Sequence, residues 1–183
     1  EYREPFRWAS DDLYHPDMKD YVEGNYSADN QLGDEAEARK GESRLWKYYE
    51  GIRKASTFIV NVDRCPELTM DEIADMKGQA RFLRAYCYWA LIRVYGPVPL
   101  IPLEGLDVNL SYEELSLPRE HFDNLVDFID QELAESARSL PTKRTVNNLG
   151  RPTRGAALGL RSRVLLYAAS PLFNGNTDFF NVK

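Results

Sequence analysis

The stretch Gly78–Pro102, GQARFLRAYCYWALIRVYGPVPLIP, decides how the rest of this chain is read. Together with the turn before it, apolar side chains recur at Ile73, Met76, Ala80, Leu83, Cys87, Ala90 and Val94. Steps of three and four place them on one face of an α-helix. Phe82, Tyr86 and Trp89 form a second stripe beside the first. A helix this apolar is stable only when other helices cover it. Its ends are written in the sequence. Thr69 and Glu72 make a T-x-x-E capping box at the start. Gly96-Pro97 stops it, because glycine takes the left-handed turn and proline cannot continue a helix.

Working outward, an earlier helix is expected from about Ser43 to Val62. Its stripe is Leu45, Tyr49, Ile52, Ala55, Ile59 and Val62, and Cys65-Pro66 ends it. The connection to the next helix is short, so the two should form an antiparallel hairpin over residues 43–97. Val98–Asn109 reads as an extended connector carrying Pro99 and Pro102. A third helix is expected from about Pro118 to Leu140, with Phe122, Leu125, Ile129 and Leu133 inward. A fourth is expected from about Thr153 to Ala169, with Ala157, Leu160, Val164 and Tyr167 on one face and Pro171 beyond its end. These two make a second hairpin over residues 118–171. Gly78, Ala80, Leu83 and Arg84 align at one common offset with Gly155, Ala157, Leu160 and Arg161. Small residues at equivalent points let neighbouring helices approach closely, as stacked hairpins require. The fold class is therefore all-α: stacked helical hairpins of the tetratricopeptide kind, with long loops, in one domain or part of one over residues 1–183. Residues 1–42 are polar, weakly periodic and loop-rich.

Composition narrows the function. The chain has 183 residues, 43% hydrophobic and 28% charged, with a formal net charge of −6. Clustered positive charge, the footprint of a nucleic-acid site, is missing from this balance. Arg151, Arg154, Arg161 and Arg163 gather around the fourth helix, where ion pairs to acidic neighbours account for them. The apolar run Ala85–Ile92 is far short of the ~20 residues that a membrane span needs. Cys65 and Cys87 lack metal or redox spacing, and Cys87 on an apolar face reads as a buried free thiol. His15 and His121 form no ligand set, so no metal or other cofactor is expected.

Four segments in order resemble the SusD/RagB family of Bacteroidetes outer-membrane lipoproteins. They are WKYYEGIRKASTFIVNVD (Trp46–Asp63), EIADMKGQARFLRAYCYWALIRVYGPVPLI (Glu72–Ile101), FDNLVDFIDQELAESARSLP (Phe122–Pro141) and GRPTRGAALGLRSRVLLYAASPLF (Gly150–Phe173). The resemblance implies a non-catalytic protein on the extracellular face of the outer membrane. It would bind an oligosaccharide nutrient and deliver it to a SusC-like TonB-dependent transporter. Family members are usually much longer and begin with a lipid-modified cysteine. Neither that cysteine nor the C-terminal half stands in this sequence, so it reads as a fragment or processed segment. Membrane association would then come only through a lipid anchor absent from this chain.

Sugar recognition needs flat apolar faces for pyranose C–H groups and polar groups for the hydroxyls. The N-terminal segment interleaves Phe6, Trp8, Tyr14, Tyr21 and Tyr26 with Asp11, Asp12, Asp17, Asn25 and Asn30. Trp8, Asp11, Asp12, Tyr14, Asn25 and Tyr26 are the candidate ligand-binding residues, with Trp8 foremost. The competing reading is that these aromatics cap the core from outside. Phe82, Tyr86 and Trp89, and Trp46 with Tyr49, fall at helical spacing and read as core. Adjacent acids at Asp11/Asp12, Asp34/Glu35 and Glu113/Glu114 do not face each other across a sugar ring, as a glycosidase requires, so no catalytic residues are assigned. The alternative function is a tetratricopeptide-type module that binds a protein or peptide along exposed Asn, Lys and Arg of the helices.

Overall fold

A computed structural model describes residues 44–107 and 109–175, with side chains from residue 47 onward. The chain divides into two compact units, Glu1–Lys47 and Tyr48–Lys183, and the packing below belongs to the second. Among the described residues the regular structure is entirely helical. Helix α1 spans Arg44–Asn61 and runs into a single 3-10 turn, Val62–Arg64. Helix α2 spans Met70–Tyr95, α3 is one turn at Tyr112–Leu115, α4 spans Phe122–Ser139, and α5 spans Arg154–Ala168.

The helix ends follow the expected chemistry. At the α2 start the Thr69 hydroxyl accepts from the Glu72 amide, and the Glu72 carboxylate accepts from the Thr69 amide at 2.9 Å. Both orphan donors are thereby satisfied. At the far end Gly96 has φ 64°, and its N–H donates to the Ile92 carbonyl at 3.1 Å. A side chain is disfavoured at that φ, which is why glycine stops this helix.

Each hairpin closes around an alanine. Ala80 of α2 packs with Ala55 and Ile59 of α1. Ala157 of α5 packs with Ala137 of α4 and with Leu140, the residue that caps it. The two alanines of the internal repeat thus sit in similar packing. Between hairpins the backbones also approach closely. A Cβ at Gly78 would lie 3.1 Å from the Ser139 Cβ and 3.3 Å from Leu140, and the buried Ser136 hydroxyl donates to the Gly78 carbonyl at 2.8 Å. Within the first hairpin a Cβ at Gly51 would lie 3.0 Å from the Cys87 sulfur. The core continues through Tyr88–Ile92, five consecutive buried residues, and through Phe122, Leu125, Ile129, Leu133 and Val164. A run buried on every side marks the centre of the helical stack.

Several sequence expectations need correction. Leu83, placed on the inward stripe, is 52% exposed, and Tyr86, read as core, is also exposed. The buried face of α2 is rotated, because Arg84, Ala85 and Tyr88 turn inward in their place. A buried arginine cannot be anticipated from apolar periodicity. Trp89 is core as expected, whereas Phe82 is only half-buried. Helix α4 starts at Phe122 and not near Pro118. Residues ahead of it are held extended: the Glu120 amide donates to the Val98 carbonyl, and Arg119 donates to the carbonyls of Tyr95 and Pro97. The short helix α3 was not expected, although Ser111 and Glu114 form its capping box.

Candidate functional site

All six candidate ligand-binding residues, Trp8, Asp11, Asp12, Tyr14, Asn25 and Tyr26, lie outside the described residues, as does His15. The Trp46 side chain does too. The described residues form a helical framework, and many of its polar side chains hold it together.

The connector after α2 is strapped to both helices of the first hairpin. The Tyr49 hydroxyl of α1 donates to the Pro99 carbonyl at 2.9 Å. The Tyr88 hydroxyl accepts from the Ile101 amide, and Arg84 Nη2 donates to the Ile101 carbonyl, both at 2.9 Å. Val98–Ile101 therefore has fixed backbone positions although it belongs to no helix. Burial pushes both tyrosine hydroxyls, Tyr49 and Tyr88, above their ordinary pKa.

Charge is buried at the junction of the hairpins. Glu132 of α4 accepts from Arg81 and lies 3.7 Å from Arg84. The Arg84 guanidinium also sits 4.8 Å from the centre of the Phe128 ring, and Phe128 packs edge-on against Tyr88. Removal from water raises the Glu132 pKa, and the two arginines oppose that shift without cancelling it. A second pair ties the first hairpin to the loop of the second. Arg144 reaches both Asp75 oxygens at 2.6 and 2.8 Å and donates twice to the Pro152 carbonyl. Apolar spacing could not have exposed these partners, since each pair is tens of residues apart in sequence. In the basic cluster, Arg161 is bidentate to Asp130 at 2.5 and 3.0 Å, in line with the ion-pair reading.

No group of three or more His, Cys, Asp or Glu side chains converges among the described residues. Glu114 of the Glu113/Glu114 pair is committed to the α3 cap, and its bonds to Ser111 hold it below the usual carboxylate range. His121 precedes α4 as its N-cap residue, without a side-chain cap. Cys65 and Cys87 are both free thiols, and burial pushes Cys87 up to about 11. No described helix is long and apolar enough to cross a membrane.

An open groove of about 710 Å³ is lined by α1 and the turn that follows it. Phe58, Val62 and Leu68 give it an apolar floor, with Arg53, Lys54 and Asn61 among its polar margins.

Comparison with known proteins agrees with this architecture. The family described as "Starch-binding associating with outer membrane", SusD-like, matches residues 12–166. SusD-like protein P25 of Formosa agariphila is 24% identical over 143 residues, covering 77% of this chain and 26% of that protein. The crystal structure of a SusD-like protein from Bacteroides fragilis is 31% identical with a TM-score of 0.60, covering 67% of this chain and 23% of that one. Surface glycan-binding protein A from Bacteroides uniformis is 26% identical with a TM-score of 0.59, covering 67% and 27%. The chain thus spans about a quarter of the length of these relatives. With a family match over most of its length and the same helical fold in its relatives, this chain belongs to the SusD-like family.

Proposed function

We propose that this chain is the helical scaffold and part of the ligand platform of a protein that binds oligosaccharide nutrients at the bacterial cell surface without cleaving them. The observation that carries this reading is the family match over residues 12–166. A relative that is itself a surface glycan-binding protein supports it. The ligand platform is the N-terminal segment, with Trp8 and Tyr14 or Tyr26 stacking on sugar rings and Asp11, Asp12 and Asn25 bonding to hydroxyls. Rigid helices carrying a recognition loop suit this division of labour. The bound glycan passes to a SusC-like TonB-dependent transporter, at the extracellular face of the outer membrane.

A second reading has one observation in its favour. The α1 groove is edged by Arg53, Lys54 and Asn61, the residue types a peptide-binding repeat would present. A glycan panel separates the two. Trp8→Ala, with an unchanged melting temperature, should weaken glycan binding at least ~10-fold, whereas Phe58→Ala should not. Glycan binding unweakened by Trp8→Ala, or a peptide ligand lost with Phe58→Ala and no glycan ligand at all, would overturn the first reading.

A further inference from the structure

Four asparagines of the described residues have their carboxamides held, and one is open to attack by its own backbone. Asn61 Nδ2 donates to the Thr57 carbonyl at 2.8 Å. Asn109 Nδ2 donates to Asp107 at 2.8 Å, Asn124 Nδ2 to Glu120 at 2.8 Å and Asn148 Nδ2 to the Thr145 hydroxyl at 3.3 Å. Each of these four is followed by valine or leucine, whose branched side chain crowds the backbone nitrogen between the two residues. Asn174 differs on both counts. It is exposed, its carboxamide has no hydrogen-bond partner among the described residues, and a glycine follows it. Asn174-Gly175 is the single Asn-Gly step in the sequence.

The fold sets the geometry at that step. The turn after α5 is pinned just before it, where the buried Phe173 ring stacks on Phe122 with centres 3.9 Å apart. The Phe173 and Asn174 amides both donate to the Ser170 carbonyl, at 3.0 and 2.8 Å. The next amide, that of Gly175, makes no hydrogen bond among the described residues. Gly175 has φ 82°, and a Cβ there would meet nothing within 4 Å, so the space beside its nitrogen is open. The Asn174 main chain is therefore fixed, while its short side chain and the nitrogen that follows are unencumbered. A side chain of this length reaches its own downstream backbone.

We propose that Asn174 is a site of spontaneous covalent modification, converting to aspartate and isoaspartate through a cyclic imide. The Gly175 amide gives up its proton to solvent hydroxide, and its nitrogen attacks Cγ of Asn174. The new N–Cγ bond forms, the Cγ–Nδ2 bond breaks, and Nδ2 takes a proton from water and leaves as ammonia. Water then opens the imide. Cleavage of the new N–Cγ bond gives aspartate. Cleavage of the original peptide bond leaves the chain running through Cγ, which is isoaspartate. Each conversion adds one negative charge to a chain of formal net charge −6. Isoaspartate also inserts a methylene into the backbone, one residue after the buried Phe173 anchor.

The test incubates the intact polypeptide at mildly alkaline pH, folded in buffer and unfolded in urea. Peptide mapping by mass spectrometry follows each asparagine, and an isoaspartyl methyltransferase with a labelled methyl donor counts the isoaspartate. In the folded protein Asn174 should convert at a rate within ~3-fold of that in urea, because the fold does not cover it. Asn61, Asn109, Asn124 and Asn148 should each convert at least ~10-fold more slowly than Asn174 in the folded protein. Gly175→Ala should slow conversion at least ~10-fold by placing a Cβ beside the attacking nitrogen, in urea as well as in buffer, so that any disturbance of the turn does not decide the result. An Asn174 that stays intact in the folded protein while it converts in urea, earlier conversion at one of the four held asparagines, or a rate indifferent to Gly175→Ala would each overturn the proposal.

Discussion

Glu132→Ala is the perturbation that most sharply tests how the two hairpins are joined. Its side chain is 9% exposed and meets Arg81, 29% exposed, and Arg84, 4% exposed. The arginines will respond differently. Arg81 can turn toward water and recover its solvation. Arg84 cannot, and it would keep only the Ile101 carbonyl and the Phe128 ring around a buried charge. Breaking a buried pair by removing one partner costs roughly 3–5 kcal/mol, and the freedom of Arg81 places the loss near the lower end, at about 3 kcal/mol. Replacing both members by apolar residues of similar size, Arg84→Met with Glu132→Leu, should bring stability back to within ~1 kcal/mol of the parent. Glu132→Gln should fall between, because it removes the charge and keeps the shape. The pH dependence has a definite sign. Since burial raises the Glu132 pKa, the folded chain keeps this proton to higher pH than the unfolded chain does. Its titration favours the folded state at low pH, and this contribution is lost as pH rises from the ordinary carboxylate value through the raised one. Urea unfolding followed by far-ultraviolet circular dichroism and by fluorescence of buried Trp89 measures all three variants. A loss below ~1 kcal/mol for Glu132→Ala, or a double variant no better than the single, would refute a buried charge held at this junction.

Close packing makes a second test. Gly78→Val should lose about 1–3 kcal/mol by overpacking Ser139 and Leu140, while Gly159→Ala in this 183-residue chain should gain ~0.5–1 kcal/mol; urea midpoints report both. Thr69→Ala should cost about 1 kcal/mol in the same assay by removing the α2 cap. Glu72 is held below the usual carboxylate range by its bonds to Thr69, so the benefit of this box is present above the ordinary carboxylate pKa and fades as pH falls through the depressed one. Cys87, pushed up to about 11, stays a neutral thiol in the folded chain, so stability should decline as pH rises above the unfolded thiol value of ~8.5. Cys87→Ala should flatten that alkaline slope, and the half-buried parent thiol should react with a disulfide reagent more slowly folded than unfolded.

Much of the scaffold was legible because its signals are local. Caps at Thr69 and Gly96 and apolar steps such as Phe122, Leu125, Ile129 and Leu133 are set by contacts within one helix and its nearest neighbour. The Ser111–Glu114 box is equally local and could have been read, since it repeats the Thr69–Glu72 pattern. The rotation of α2 that exposes Leu83 and buries Arg84 could not. It depends on Glu132, Phe128 and the Ile101 carbonyl, partners brought together only by the fold. The start of α4 was misplaced for a similar reason. Pro118 is compatible with a helix start, but Glu120 and Arg119 are claimed by the backbone at the end of α2. The candidate ligand-binding residues were read from residue chemistry alone, and they lie outside the described part of the chain.

The central claim is that an oligosaccharide binds at the N-terminal aromatic segment and leaves unaltered. Equilibrium dialysis of the intact polypeptide against glycans drawn from the panel, with chromatography of the recovered sugar, tests both halves in one measurement. The account predicts a dissociation constant in the roughly micromolar to millimolar range, at least ~10-fold weaker for Trp8→Ala, and sugar recovered at its original length. Shortened sugar, or an affinity indifferent to Trp8, would contradict it.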